Sequence, residues 1–357
     1  MRHRSFAPLN ALGIALVVVA PVVVSGQAPS AGAKATTPAT KAWTPPRTPD
    51  GQPDLQGIWL SHDATPLERP KALEGKQFLT DEEVTDLKKR AARLFEGGVN
   101  SDFAGGDNFF LATLANPDVY KNRNSTGSFL EMVDRAFDNR TSLIADPPDG
   151  KIPLMTEEGR QRRLAADASA FLAPRSGPPG GPEDLSAFIR CITFGAPRLG
   201  GAAASYNSYY QIVQPPGYVL LFSEVIHDAR IVPLDGRPHP SQSIRNWHGD
   251  SRGRWEGSTL VVDTTNFSPK SSLLGSAENL HVVERFTRVA PDRINYEMTL
   301  ADPTTWTKPW TAVVHLEQTN NNIYEYACHE GNQQIMTDIL AGARAEEKAA
   351  EEAAKRR

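Results

Sequence analysis

Only two cysteines, Cys191 and Cys328, occur in the chain, too few to make a structural zinc site by themselves. In an oxidising compartment an even pair implies one disulfide; the other reading is two buried free thiols. Bonding them would close a loop worth roughly 3–5 kcal/mol in the chain-entropy model. A basic stripe is also missing. Lys and Arg number 38 against 42 Asp and Glu, the signs are mixed along the chain, and the net charge is −4. Nucleic acid and polyanions are therefore not expected partners. Neither a phosphate-binding loop nor a dinucleotide fingerprint is present. Ser223 and Ser251 lack a Gly-x-Ser-x-Gly setting, and no two histidines show the one-turn spacing of a helical metal motif.

Long apolar runs are equally scarce. One extends from Ala11 to Val24 behind Arg2 and Arg4, broken by Gly13 and Pro21 and followed by Ser25, Gly26 and Ala28. A charged start, a short apolar stretch and a small-residue exit read as a secretory signal over residues 1–28, with cleavage between Ser25 and Ala33. A membrane anchor is the alternative, but a spanning helix wants about 20 unbroken apolar residues. The expectation is an exported protein, periplasmic or extracellular, with no membrane span after cleavage. Residues 29–52, rich in Ala, Pro, Thr and Lys, read as a flexible linker.

Helical signals occupy the region around 80–195. Thr80 and Glu83 have capping-box spacing, and Val84, Leu87, Ala91, Leu94 and Phe95 recur at helical intervals up to Gly97 and Gly98. A second helix is expected after Thr156 to Ala168 and a third over Glu183–Ile192, with a Pro/Gly-rich loop between. Residues 100–130, rich in Asn, Asp, Gly and Ser, read as long loops. Beyond Tyr218 the pattern changes. Tyr218–Ile226, Ile231–Leu234, Thr259–Phe267, Leu280–Val289, Ile294–Leu300, Ala312–Gln318 and Ile323–His329 are short β-branched and aromatic runs. Turn signals such as Pro215-Pro216-Gly217, Asp235-Gly236 and Glu256-Gly257-Ser258 separate them. The fold class expected is mainly β: an antiparallel meander forming a barrel or strongly curved sheet over 53–332, with inserted helices. A charged C-terminal helix is expected over 333–357.

The entry strand, Asp54-Leu55-Gln56-Gly57-Ile58-Trp59, is similar to the opening strand of lipocalin-type barrels, where the Gly permits a bend and the Trp plugs the closed end; a bulge beside a core aromatic is the plainer reading. Further blocks are Asp146-Pro147-Pro148-Asp149-Gly150, His227-Asp228-Ala229-Arg230-Ile231 and Asp235-Gly236-Arg237-Pro238-His239. Gly249 to Gly257, Thr259 to Phe267 and Ala327-Cys328-His329-Glu330-Gly331-Asn332 complete the set. Together they resemble a family of uncharacterised exported proteins abundant in acidobacteria and other soil bacteria. The resemblance implies export and a shared fold, and no activity.

Five histidines lie in or beside these blocks: His227, His239, His248, His281 and His329. Strand alternation puts His227 on an apolar face, and puts Glu325 beside His329. The expected function is a small-molecule site at the rim of the β-domain. If it is catalytic, the chemistry expected is metal-free acid/base hydrolysis, elimination or isomerisation, with no cofactor. His227 and His329 would move protons and Asp228 and Glu325 would orient them. Arg230, Arg237 and Asp250 would bind polar groups of the substrate, and Trp247 and Trp255 would stack on it. Competing readings are a metal site on His227, His239, His248, His329 and Asp250, a binding protein without chemistry, and an interaction protein.

Overall fold

The computed structural model describes residues 43–94, 108–115, 136–168, 179–199, 208–271 and 273–356. The expected signal segment, residues 29–42 of the linker and Phe95 lie outside these. Ten antiparallel strands form one sheet: β1 (Gly57–Leu60), β2 (Ile144–Asp146), β3 (Tyr209–Val213), β4 (Tyr218–Ser223), β5 (Asp228–Pro233), β6 (Asp250–Glu256), β7 (Thr259–Thr265), β8 (His281–Ala290), β9 (Arg293–Ala301) and β10 (Trp310–Thr319). The order is β5-β4-β3-β1-β10-β9-β8-β7-β6, with β2 added on β10. Two meanders, β3–β5 and β6–β10, are thus joined by the entry strand, which pairs with both β3 and β10.

The sheet curls until β5 and β6 lie side by side without exchanging a ladder, a barrel closed except along one seam. Side-chain packing holds the lower part of the seam. A Cβ on Gly253 of β6 would lie 2.8 Å from Val232 and 2.6 Å from Leu234, so only glycine lets the edges approach this closely. The β6–β7 hairpin turns through Gly257-Ser258, with Gly257 at φ +63, as a two-residue connection requires. At the entry, Gly57 sits at φ +138 and Trp59 is fully buried, its indole donating to Leu55 O at 2.9 Å.

Period-2 alternation builds the interior. On β8 the buried positions are Val282, Glu284, Phe286 and Arg288; on β9, Ile294, Tyr296, Met298 and Leu300; on β10, Trp310, Ala312, Val314 and Leu316. Burying the apolar members of these sets contributes about 1.5–3 kcal/mol each, so the core carries most of the stability.

Helix α1 (Asp81–Leu94) starts on the expected capping box: Thr80 N donates to Glu83 Oε2 at 2.9 Å and Glu83 N to Thr80 Oγ1 at 3.3 Å. Helix α3 (Glu157–Ala168) begins after Thr156 as expected and abuts Thr305 through Gly159, where a Cβ would lie 2.7 Å from backbone. A charged C-terminal helix, α4, spans Asn332–Lys355. No helix among the described residues is long and apolar enough to cross a membrane.

Three expectations need correction. A short helix, α2 (Asn108–Leu114), interrupts the region read as loop, because Phe110 buries against Leu79 and Leu87. The expected helix over Glu183–Ile192 is a 3-10 turn at Pro182–Asp184 followed by turns, ending on Cys191 at φ +55. Ile323–His329 is not a strand: both edges of β10, which precedes it, are already taken, and the segment runs on without pairing to the sheet. It is held by Tyr324 N donating to Glu224 Oε1 at 3.0 Å and by the Cys191–Cys328 disulfide.

Candidate functional site

The β5–β6 loop, residues 234–249, crosses the seam. His239 pins it, with Nδ1 2.7 Å from Asp250 and Nε2 3.0 Å from Asp263. Asp263 also accepts from His281 at 2.9 Å; that bond raises the His281 pKa and lowers that of Asp263. At the end of the loop, Gly249 has φ +69, and a Cβ there would lie 2.4 Å from Thr265 O. Only glycine fits between Trp247-His248 and the start of β6.

A groove of about 490 Å³ runs along the seam. His227, Asp228, Arg230, Trp247 and Asp250, five of the residues singled out in the sequence, line it together with His248. Behind it lies an interior cavity of about 30 Å³, room for a water or two. Asp228, Arg230 and His248 border both spaces.

The hydrogen bonds around Asp228 define a directed chain. Thr193 Oγ1 donates to Asp228 Oδ2 at 3.0 Å and accepts from Gly195 N at 2.8 Å. His248 Nε2 is 2.6 Å from the same Thr193 Oγ1 and 3.3 Å from Asp228 Oδ1. Since the hydroxyl proton is already given to the carboxylate, His248 Nε2 must be the donor to it. That fixes the Nε2–H tautomer and leaves Nδ1 as the basic nitrogen, with no hydrogen bond to a described residue. Thr193 is not placed as a nucleophile, because its proton points to the acid and not to the imidazole.

Below this chain the interior is polar. Glu284, fully buried, accepts from Arg230 Nη1 at 2.6 Å and Nη2 at 2.8 Å, and from the Tyr296 hydroxyl. Burial lowers the Arg230 pKa, but the Glu284 charge more than offsets this, so the guanidinium stays charged. Burial and the same carboxylate raise Tyr296 well above its ordinary range, keeping it a donor. Arg198 lies 5.1 Å from the Phe194 ring centroid and 5.9 Å from that of Tyr210, whose pKa is raised by burial of its hydroxyl.

The remaining candidates are dispersed. Asp228 contacts Thr193, Phe194 N and His248, with no bond to His227. Arg230 is committed to Glu284. Arg237 is exposed and paired with Asp235, away from the groove. Asp250 is occupied by His239 and Arg252. Trp255 packs against the core. His227, Glu325 and His329 are exposed; His227 also borders a neighbouring open groove of about 480 Å³, which Glu325 and His329 line with Tyr324 and Tyr326. The inward orientation expected for His227 does not occur: β4 ends at Ser223, and Ile226 and His227 take left-handed φ values of 56° and 45°.

Sequence reading passed over Thr193, Glu284 and Tyr296. For Glu284 the signal was present, a carboxylate on the apolar face Leu280, Val282, Phe286. Among the described residues one group of metal-ligand type is gathered, Asp63, Asp138 and His315. Arg140 already fills it, its Nε donating to Asp138 at 2.6 Å and its Nη2 to Asp63. Burial raises the Asp138 pKa, but the His315 hydrogen bond and the Arg140 charge outweigh it and hold the group at about 2. This is a structural tie between the 136–142 segment and β10. No protein-family model, curated protein or solved structure matches the chain, so the reading of this site rests on its own geometry.

Proposed function

We propose that this is an exported protein that binds a small molecule in the β5–β6 seam, and that His248 serves there as an acid/base group oriented through Thr193 and Asp228. The observation that carries the reading is the Thr193–Asp228–His248 chain at the wall shared by groove and cavity, which leaves one imidazole nitrogen uncommitted. A carboxylate that orients one nitrogen while the other meets substrate is the arrangement general acid/base catalysis needs. Trp247 offers a flat face, and Asn246 and His248 offer polar groups, so the ligand expected carries a ring and hydrogen-bonding groups. The paired cysteines and the apolar N-terminal stretch support export. Membership of the uncharacterised exported family rests on the shared sequence blocks, three of which lie on β5, β6 and β7.

A thermal-shift screen of soluble sugars, hydroxy acids and ring-bearing metabolites tests the reading. Ligands that raise the melting temperature of the wild type by several degrees should lose most of that shift in His248→Gln and Asp228→Asn. Hits whose shifts survive both substitutions bind elsewhere and contradict it.

A further inference from the structure

Among the seven described histidines, five face a carboxylate: His62 faces Glu317, His239 faces Asp250 and Asp263, His248 faces Asp228, His281 faces Asp263, and His315 faces Asp138. His227 and His329 are the exceptions. Neither ring makes a hydrogen bond or ion pair with a described residue, both are exposed, and the two rings lie side by side, tilted at 52° with centroids 6.2 Å apart.

The backbone on each side is fixed. Ile226 is buried in a left-handed conformation that a β-branched residue rarely adopts, and this kink turns His227 outward. His329 follows Cys328, which is bonded to Cys191, and precedes Asn332, whose Nδ2 donates to Ile189 O at 2.9 Å. The fold thus places a strained turn and a cross-link beside two imidazoles whose nitrogens are uncommitted.

We propose that His227 and His329 form a binding site for a borderline divalent transition ion of the zinc class. Glu325 and Glu330 line the same groove, and water fills the positions that the two imidazoles leave open. Zinc–nitrogen bonds of about 2.0–2.1 Å let one ion touch both rings when their centroids are roughly 5–6.5 Å apart. The observed spacing lies toward the wide end of that range, within reach of small side-chain rotations. Imidazole pairs favour zinc, copper and nickel over magnesium or calcium. The site departs from the metal-free expectation drawn from the sequence. It does not rest on the seam reading: His227 borders both grooves, but His329 lines the neighbouring one and His248 is not a ligand.

The test is titration calorimetry of metal-stripped full-length protein with zinc chloride in a non-chelating buffer, with magnesium chloride as control. One equivalent of zinc should bind and magnesium should not. His227→Asn, which tolerates the left-handed backbone, and His329→Ala should each weaken zinc at least tenfold, and the double variant should abolish binding, with melting temperatures unchanged. His281→Asn should bind as the wild type does. In parallel, zinc should shift the imidazole NMR signals of His227 and His329. Absence of zinc binding by the wild type, or undiminished binding by the double variant, would overturn the proposal.

Discussion

Glu284→Leu is expected to destabilise the folded state by about 3–5 kcal/mol, the usual cost of leaving one member of a buried ion pair alone. Glu284 has no solvent exposure and accepts three hydrogen bonds, two from Arg230 and one from Tyr296. Removing it strands a guanidinium that is 12% exposed and a phenol that has no other acceptor among the described residues. The pair also ties β5, one edge of the seam, across the interior to β8. Losing it should therefore loosen the groove wall as well as lower stability. Replacing both partners, Arg230→Met with Glu284→Leu, should recover most of the loss, because no charge then remains to desolvate. Urea unfolding with unchanged slope reads both effects. A single-variant loss under about 1 kcal/mol would mean that water reaches the pair and screens it.

Removing the disulfide should have an effect of similar size. Cys191 and Cys328 are 137 residues apart, and opening so long a loop costs roughly 3–5 kcal/mol through the unfolded chain. The cross-link also joins two functional segments. Cys191 lies two residues before Thr193 of the hydrogen-bonded chain, and Cys328 lies beside His329. The Cys191→Ser, Cys328→Ser double variant should therefore melt lower and also bind zinc more weakly. Adding reductant to the wild type should reproduce the melting shift. An unchanged unfolding midpoint would show that the 191–328 loop is held by packing alone.

Alternation along the strands was legible. On β8, Val282, Glu284 and Phe286 alternate with His281, Val283 and Arg285 in the sequence, and the structure buries the first set. The tight turns, the capping box and the C-terminal helix were legible for the same reason: each depends on residues a few positions apart. Non-local pairings were not. That β1 separates β3 from β10, or that β5 and β6 are the free edges, depends on sheet order, which local pattern does not encode. β6 itself was hidden because its inward positions are Ser251 and Gly253, small where Val232 and Leu234 press in. Asp228 could be nominated from its block, but its partner is His248, across the seam, and not its neighbour His227. His227 was misoriented because period 2 was carried past Ser223 into a turn where two successive residues reverse φ.

The tautomer of His248 bears most directly on the site as a whole. In ¹⁵N-labelled protein, the neutral ring should carry its proton on Nε2 and not on Nδ1, and Thr193→Val should blur that distinction. A ring protonated at Nδ1, or one averaging between tautomers like a free imidazole, would mean that Thr193 and Asp228 do not orient it.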